Sequence, residues 1–261
     1  MTVTQYRGIL SGDTPFKPLS KGIKRMVGRQ SSGKITVRHK GAGVKRLWRE
    51  VDFRYEKLGI PARIETIEYD PNRSGFIALV CYKDGERRYH LIPAGLKVGD
   101  EIITKDEAEL KRGNRLRLDN IPVGWQIYNI EIRPNTGAKL VRSAGSTAEI
   151  LAHDAGFTSV KLPSGAVQKI DSRSRASIGQ VSNAEHGQVV IGKAGRSRHM
   201  GIRPTVRGSA MNPVDHPYGG GEGRSPQGTR RPKNRWGKGT RGVKTRKRHK
   251  YSNSLIVSRR K

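Results

Sequence analysis

The alternation of apolar and polar residues breaks most of the chain into short strands. Phe76-Ile77-Ala78-Leu79-Val80-Cys81-Tyr82 is a continuous apolar run, and residues 87–92 follow it after Asp84-Gly85. Asp-Gly between two such runs is a hairpin signal, because the turn needs positive φ. Residues 157–162 and 166–170 flank Pro163-Ser164-Gly165 and predict a second hairpin. Ile127-Tyr128-Asn129-Ile130-Glu131-Ile132 alternates as one more strand with a buried face. Only residues 105–111 and 172–177 carry helix-like composition, and both are short. Short strands separated by turn signals predict a mainly-β chain, best divided into two small barrels in series. Asn120-Ile121-Pro122-Val123-Gly124 marks the division. There is no internal repeat and no heptad.

Composition changes this picture at both ends. Hydrophobic residues make up 33% of 261, and 52 Lys/Arg against 22 Asp/Glu leave a net charge of +30. The excess is uneven. Residues 1–60 hold 14 basic and 4 acidic residues, residues 61–192 hold 18 and 16, and residues 193–261 hold 20 and 2. The middle therefore reads as a folded unit. The ends read as basic arms that bury too little apolar surface to order alone and wait for a polyanion. Twelve glycines from Gly192 to Gly242 loosen the second arm further.

The lone Cys81 forms no disulfide and, within an apolar run, reads as a small buried hydrophobe of a reducing compartment. No apolar run approaches membrane-span length, and the first residues contain no apolar signal core. The protein is thus expected to work in the compartment where it is made, without membrane contact. Seven scattered histidines lack zinc spacing, so no metal and no cofactor are expected.

Four segments carry candidate chemistry. Residues 211–224 combine Asn212-Pro213, Asp215-His216-Pro217 and four glycines in five residues, which suits a structured loop laid closely on another surface. No Gly-Lys-Ser/Thr follows, which excludes a nucleotide-phosphate loop. His216 beside Asp215 has no nucleophile partner, so no catalytic residue is expected. Residues 230–250 are basic around Trp236, a composition suited to phosphates and stacked bases. Residues 34–46 read as a strand followed by a basic glycine turn. Asp70-Pro71-Asn72-Arg73-Ser74 reads as a turn that aims Arg73 outward. An RNA-processing enzyme would need a nucleophile or cofactor that is not found. A DNA-compacting protein would need only the arms and leaves the folded middle unexplained.

Asp70-Pro71-Asn72-Arg73-Ser74, Asn183-Ala184-Glu185-His186, Gly192-Lys193-Ala194-Gly195-Arg196, Gly201-Ile202-Arg203-Pro204-Thr205-Val206-Arg207-Gly208 and Met211-Asn212-Pro213-Val214-Asp215-His216-Pro217 occur in this order. Together they resemble the bacterial type of the large ribosomal subunit protein two family, over nearly the whole chain. The resemblance implies an oligonucleotide-binding (OB) fold barrel, then an SH3-like barrel. It also implies two extensions buried in large-subunit rRNA, near the peptidyl-transferase region and the subunit interface. The family's loop histidine, long discussed in connection with peptide-bond formation, corresponds to His216, while the chemistry belongs to RNA. The resemblance implies a second loop histidine where Tyr218 stands here, and the N-terminal arm looks shorter than the resemblance leads one to expect.

The expected organisation is a basic extension over residues 1–33, an OB-fold-like RNA-binding domain over 34–120, an SH3-like barrel over 121–192 and a glycine-rich basic extension over 193–261. The expected role is a non-enzymatic constituent of the large subunit. Its expected partners are rRNA, neighbouring ribosomal proteins and the small subunit, with no self-association. Its expected place is the cytoplasmic ribosome or that of an organelle encoding it. The rRNA contacts are expected from Arg38, His39, Lys40, Lys45, Arg46, Arg49 and Arg54 near the start, and from Arg73, Arg87 and Arg88 in the middle. Lys193, Arg196, Arg198, Arg203 and Arg207 follow, then His216, Gly219, Gly220, Gly221 and Arg224 in the loop. Arg235, Trp236, Lys238, Lys244, Arg246 and Lys247 complete the set.

Overall fold

In the computed structural model, residues 6, 8–12, 14–25, 27–223 and 227–259 are described. A short pair, β1 (Ser20–Gly22) and β2 (Leu47–Arg49), opens the strand order. Next come β3 (Ala62–Glu68), β4 (Ile77–Tyr82), β5 (Arg87–Leu91) and β6 (Glu101–Ile102), which form one antiparallel sheet in the order β5-β4-β3-β6. The expected Asp84-Gly85 hairpin joins β4 to β5, with Gly85 at φ +85°. β4 is apolar on both sides because both sides are covered. Ala78 and Val80 pack with Ile64, Phe76 and Ile92, while Ile77 and Leu79 pack with Tyr89 under Phe16, Leu19 and Val51. A register shift between Ile64 and Thr66 marks a bulge that bends the sheet.

The second sheet is built from β7 (Arg115–Arg117), β8 (Gln126–Tyr128), β11 (Ala148–Asp154), β12 (Phe157–Lys161), β13 (Val167–Asp171), β14 (Arg175–Ile178) and β15 (Ile256–Ser258). Its order is β15-β13-β12-β11-β8-β14-β7. β9 (Ile130–Glu131) and β10 (Ala138–Leu140) pair separately. Leu116, Leu118, Ile121, Ile127, Ile130, Ile150 and Val160 lie at the centre of the second core. The hairpin at Pro163-Ser164-Gly165 joins β12 to β13 as expected.

Several sequence expectations give way here. Residues 105–111 form no helix; Lys105 N–H donates to the Arg115 carbonyl (3.0 Å), because tertiary pairing outweighs a short run's helix propensity. Residues 172–177 turn and enter β14, whose Ala176 and Ile178 join the core. The strand expected over 127–132 bends at Asn129 (φ +50°), so β8 and β9 pair with different partners. Cys81 is half-buried, since it falls at the end of the Ile77–Leu79 face and outside that face's apolar cluster. The second sheet starts at β7, ahead of the division drawn at residue 120, because Arg115-Leu116-Arg117 hides a strand behind two charges.

The arms also differ from free extensions. The chain forms two compact units, one of residues 1–24, 45–192 and 252–261, the other of 25–44 and 193–251. Residues 34–44, expected in the first barrel, thus belong with the C-terminal extension. Phe16 and Leu19 tie the N-terminal segment to the first core. β15 returns the C-terminus to the second sheet, with Gln168 opposite Ile256 and Lys169 N–H donating to the Leu255 carbonyl (2.7 Å).

The two sheets of the first unit share a buried contact. Leu91, Tyr128 and Val181 form its apolar part. Its polar part centres on Arg115, which is 1% exposed. The guanidinium donates to the Asn129 carbonyl (2.6 Å) and Glu131 Oε1 (2.9 Å) and lies 4.4 Å from the centroid of the Tyr55 ring. Asn129 Nδ2 donates in turn to the Tyr55 hydroxyl (2.7 Å).

His90 lies in the same region, with Nε2 3.0 Å from the Tyr82 hydroxyl. Burial pushes its pKa down from 6.5 to about 4; the nearby Asp52 pulls upward, and Arg88 and Arg115 push down. Between those pH values the unfolded chain binds a proton that the native state refuses. The contribution is therefore fully present above pH 6.5 and is lost as pH falls towards 4, about 3 kcal/mol over the full range. Urea unfolding of wild type and His90→Gln at pH 7 and pH 4.5 should show wild type losing more stability on acidification. Equal losses would refute the assignment.

Candidate nucleic-acid interface

The second unit holds 22 Lys/Arg against 2 Asp/Glu, whereas the first holds 30 against 20. In the first segment of the second unit, Gly28 at φ +76° lets the chain turn back, and Thr36 and Val37 N–H both donate to its carbonyl (2.8 and 3.0 Å). Residues 39–44 then lie along residues 199–204. Gly41 N–H donates to the Gly201 carbonyl (2.8 Å), Val44 N–H to His199 (2.9 Å) and Arg203 N–H to His39 (3.1 Å). His39 Nδ1 lies 2.8 Å from the Pro204 carbonyl. A carbonyl only accepts, so that nitrogen carries the proton. The helix α1 (Ala194–His199) precedes this contact and is capped by Met200 and then Gly201, whose φ of +86° suits the position after a helix C-cap.

The glycine loop is a closed structure. Asp215 and His216 N–H both donate to the Asn212 carbonyl, Gly219 N–H to that of His216 (2.9 Å) and Gly220 N–H to that of Met211 (3.1 Å). Tyr218 N–H donates to His216 Nδ1 (3.1 Å), and the imidazole lies so close to Gly208 that a Cβ there would come within 2.5 Å of it. Among the described residues no ion pair joins Asp215 to His216. Tyr218 takes a bracing role, as its hydroxyl meets Thr229 Oγ1 (3.2 Å) and accepts the Lys233 N–H.

Beyond the loop, Asn234 Oδ1 accepts from Trp236 and Lys238 N–H (both 3.0 Å), which folds residues 233–239 into a tight turn. Trp236 sits at its tip, 72% exposed, with the Arg235 guanidinium 5.3 Å from its ring. An exposed aromatic with a cation beside it is a stacking platform for a base.

The expected contact residues divide by environment. Arg38, Lys40, Lys193, Arg198, Arg203, Arg207, Arg235 and Lys238 are exposed in the second unit, as are Lys244, Arg246 and Lys247, while Arg196 is half-buried. Arg38, Lys40, Arg196, Arg203 and Arg207 pair with no carboxylate among the described residues. Arg224 lies outside the described residues. In the first unit Lys45 is exposed, and Arg46 donates to the Pro71 carbonyl (2.7 Å). Arg49 is only 7% exposed, between Glu68 (3.6 Å) and Asp70 (3.8 Å). Arg54 meets Glu56, Arg87 meets Glu65, and Arg88 meets both Asp52 and Glu86. Arg73, expected to point outward, folds back onto Asp70 (2.6 Å) and the Phe53 ring, because a fully buried carboxylate holds it. Sequence reasoning passed over Arg29 and Lys34, exposed in the second unit and distinguishable only by the local charge excess.

Two family models match the chain, one over each part of its length. Residues 16–104 match the family model described as "Ribosomal Proteins L2, RNA binding N-terminal domain". Residues 111–237, which include the glycine loop and Trp236, match "Ribosomal Proteins L2, C-terminal domain". With mainly-β domains, a strongly cationic second unit and matches over most of its length, the chain belongs to the ribosomal protein L2 family and is a structural rRNA-binding protein of the large ribosomal subunit.

Proposed function

We propose that this chain is a primary rRNA-binding protein that supports large-subunit assembly, association with the small subunit and the architecture around the peptidyl-transferase centre. The observation that carries the reading is the second unit's 22 basic against 2 acidic residues. Such a body repels itself in isolation and is stabilised by phosphates, whose bound counterions are released on contact. The OB-like and SH3-like barrels act as a rigid platform, and several of their cations, among them Arg49, Arg73, Arg88 and Arg115, are held by carboxylates of the same unit. The second unit supplies the charge that lets RNA segments pack closely. Its neighbours are rRNA, other ribosomal proteins and the small subunit, in the cytoplasm or in an organelle that encodes the protein. His216 braces the loop, its Nδ1 accepting the Tyr218 N–H, and among the described residues no ion pair joins it to Asp215. The chain acts without a cofactor.

The test is salt-dependent binding of the full-length protein to a large-subunit rRNA transcript. Replacing both Arg203 and Arg207 by Ala should reduce the slope of log K against log[salt] by roughly 1.4–1.8, at about 0.7–0.9 per lost phosphate contact. An unchanged slope, or equal affinity of wild type for duplex DNA and rRNA, would overturn the reading.

A further inference from the structure

The contact between residues 39–44 and 199–204 joins positions far apart in sequence; His39 and Pro204 are 165 residues apart. It is a contact of backbone with backbone, made possible by glycine. A Cβ on Gly43 would lie 2.5 Å from the His199 carbonyl oxygen and 2.8 Å from the Gly201 nitrogen, and Gly43 itself sits at φ +64°. A Cβ on Gly201 would lie 2.9 Å from the Gly41 oxygen, again at positive φ (+86°). Three backbone hydrogen bonds and the His39–Pro204 bond close the contact, and Lys40 pairs with Ile202 as an antiparallel bridge. His39 takes φ +61°, a conformation that L side chains disfavour and that persists where surrounding structure imposes it. Arg38 and Lys40 are thereby held beside Arg203, all exposed and without a carboxylate partner among the described residues.

We propose that these two segments form one composite site for the sugar–phosphate backbone of rRNA, zipped together before RNA arrives. Arg38, Lys40 and Arg203 then engage the backbone as a preset group, and Gly43 and Gly201 are the glycines that assemble it. The proposal rests on the rRNA-binding reading above and adds a specific consequence. Contacts made by the two segments are energetically coupled, and that coupling depends on glycines that carry no charge. Separate flexible arms would each pay their own ordering entropy and bind additively.

The experiment is a double-mutant cycle on the full-length protein, with a large-subunit rRNA transcript as probe. Lys40→Ala and Arg203→Ala should each weaken binding about tenfold. The double substitution should depart from the product of the two by at least about twofold. Gly43→Ala should weaken binding without removing a charge. Gly33→Ala is its control, because Gly33 has a similar φ (+78°) in the same segment but nothing within 4 Å, and it should bind close to wild type. In the free protein, the amides of Gly41, Val44 and Arg203 should be protected from hydrogen exchange. Strictly multiplicative effects with wild-type binding by Gly43→Ala, or amides exchanging as in an unstructured chain, would overturn the composite site while leaving rRNA binding intact. Failure of wild type to prefer rRNA over duplex DNA would instead remove the underlying reading, and the proposal with it.

Discussion

Replacing Arg115 with Met should lower the stability of the first unit by about 3–5 kcal/mol, the range for breaking a buried ion pair from one side. Both partners are about 1% exposed, so water cannot replace the missing guanidinium. Glu131 would keep only backbone donors, from Asn135 and Arg175 N–H (3.2 and 3.3 Å). The carbonyls of Asn129 and Arg175 would each lose a donor, and the Tyr55 ring would lose its cation. Chemical denaturation followed by fluorescence is a direct readout, since Trp125 packs against the second core. A second variant separates charge from packing. Arg115→Met combined with Glu131→Leu removes both charges and should recover much of the loss, because an apolar pair of similar volume can match a buried ion pair. A single-variant loss below about 1 kcal/mol, in the range of an exposed pair, would show that the buried pair contributes little. Because the network reaches Tyr55, Asn129 and Glu131 together, one cooperative transition should report both sheets.

That network also shows where the sequence stops being informative. The β4–β5 and β12–β13 hairpins were legible because turn residues and apolar runs are local signals. β7 was not, since Arg115 and Arg117 look like surface charges until Glu131, Asn129 and Tyr55 are brought around Arg115. For the same reason Arg49 and Arg73 read as phosphate contacts, although the carboxylates of Glu68 and Asp70 hold them. Composition separates basic arms from a neutral middle, but it cannot tell an arm that engages an outside partner from an arginine engaged at home. The loop glycines were legible as close-approach residues, yet what Gly43 and Gly201 approach depends on pairing across more than 150 positions. Apolar residues at each end, Phe16 and Ile256 among them, were the available hint that the extensions return to the folded body.

Replacing Gly219 with Ala should disable the glycine loop while leaving the first unit's stability unchanged. A Cβ at Gly219 would stand 2.2 Å from the Asn212 oxygen, 2.5 Å from its carbonyl carbon and 2.6 Å from the Met211 oxygen. All three are backbone atoms, so no side-chain rotation relieves the overlap and the loop must open. Opening breaks the bonds from Gly219 to His216 and from Gly220 to Met211, which shape the loop beneath the imidazole. Holding a strained alternative costs about 1–3 kcal/mol, or roughly tenfold or more in occupancy of a site that requires the closed loop. A tagged Gly219→Ala copy competing with wild type should accordingly be depleted about tenfold from large subunits sedimented in high salt. Gly223→Ala supplies the contrast: its φ is +63°, but among the described residues nothing lies within 4 Å of the new Cβ. It carries only the left-handed backbone cost of about 1–2 kcal/mol in an otherwise open position, and its depletion should be the smaller of the two. Wild-type incorporation of Gly219→Ala would mean that the loop's closed form is dispensable to the subunit, and that His216 need not be held where Tyr218 and Gly208 now fix it.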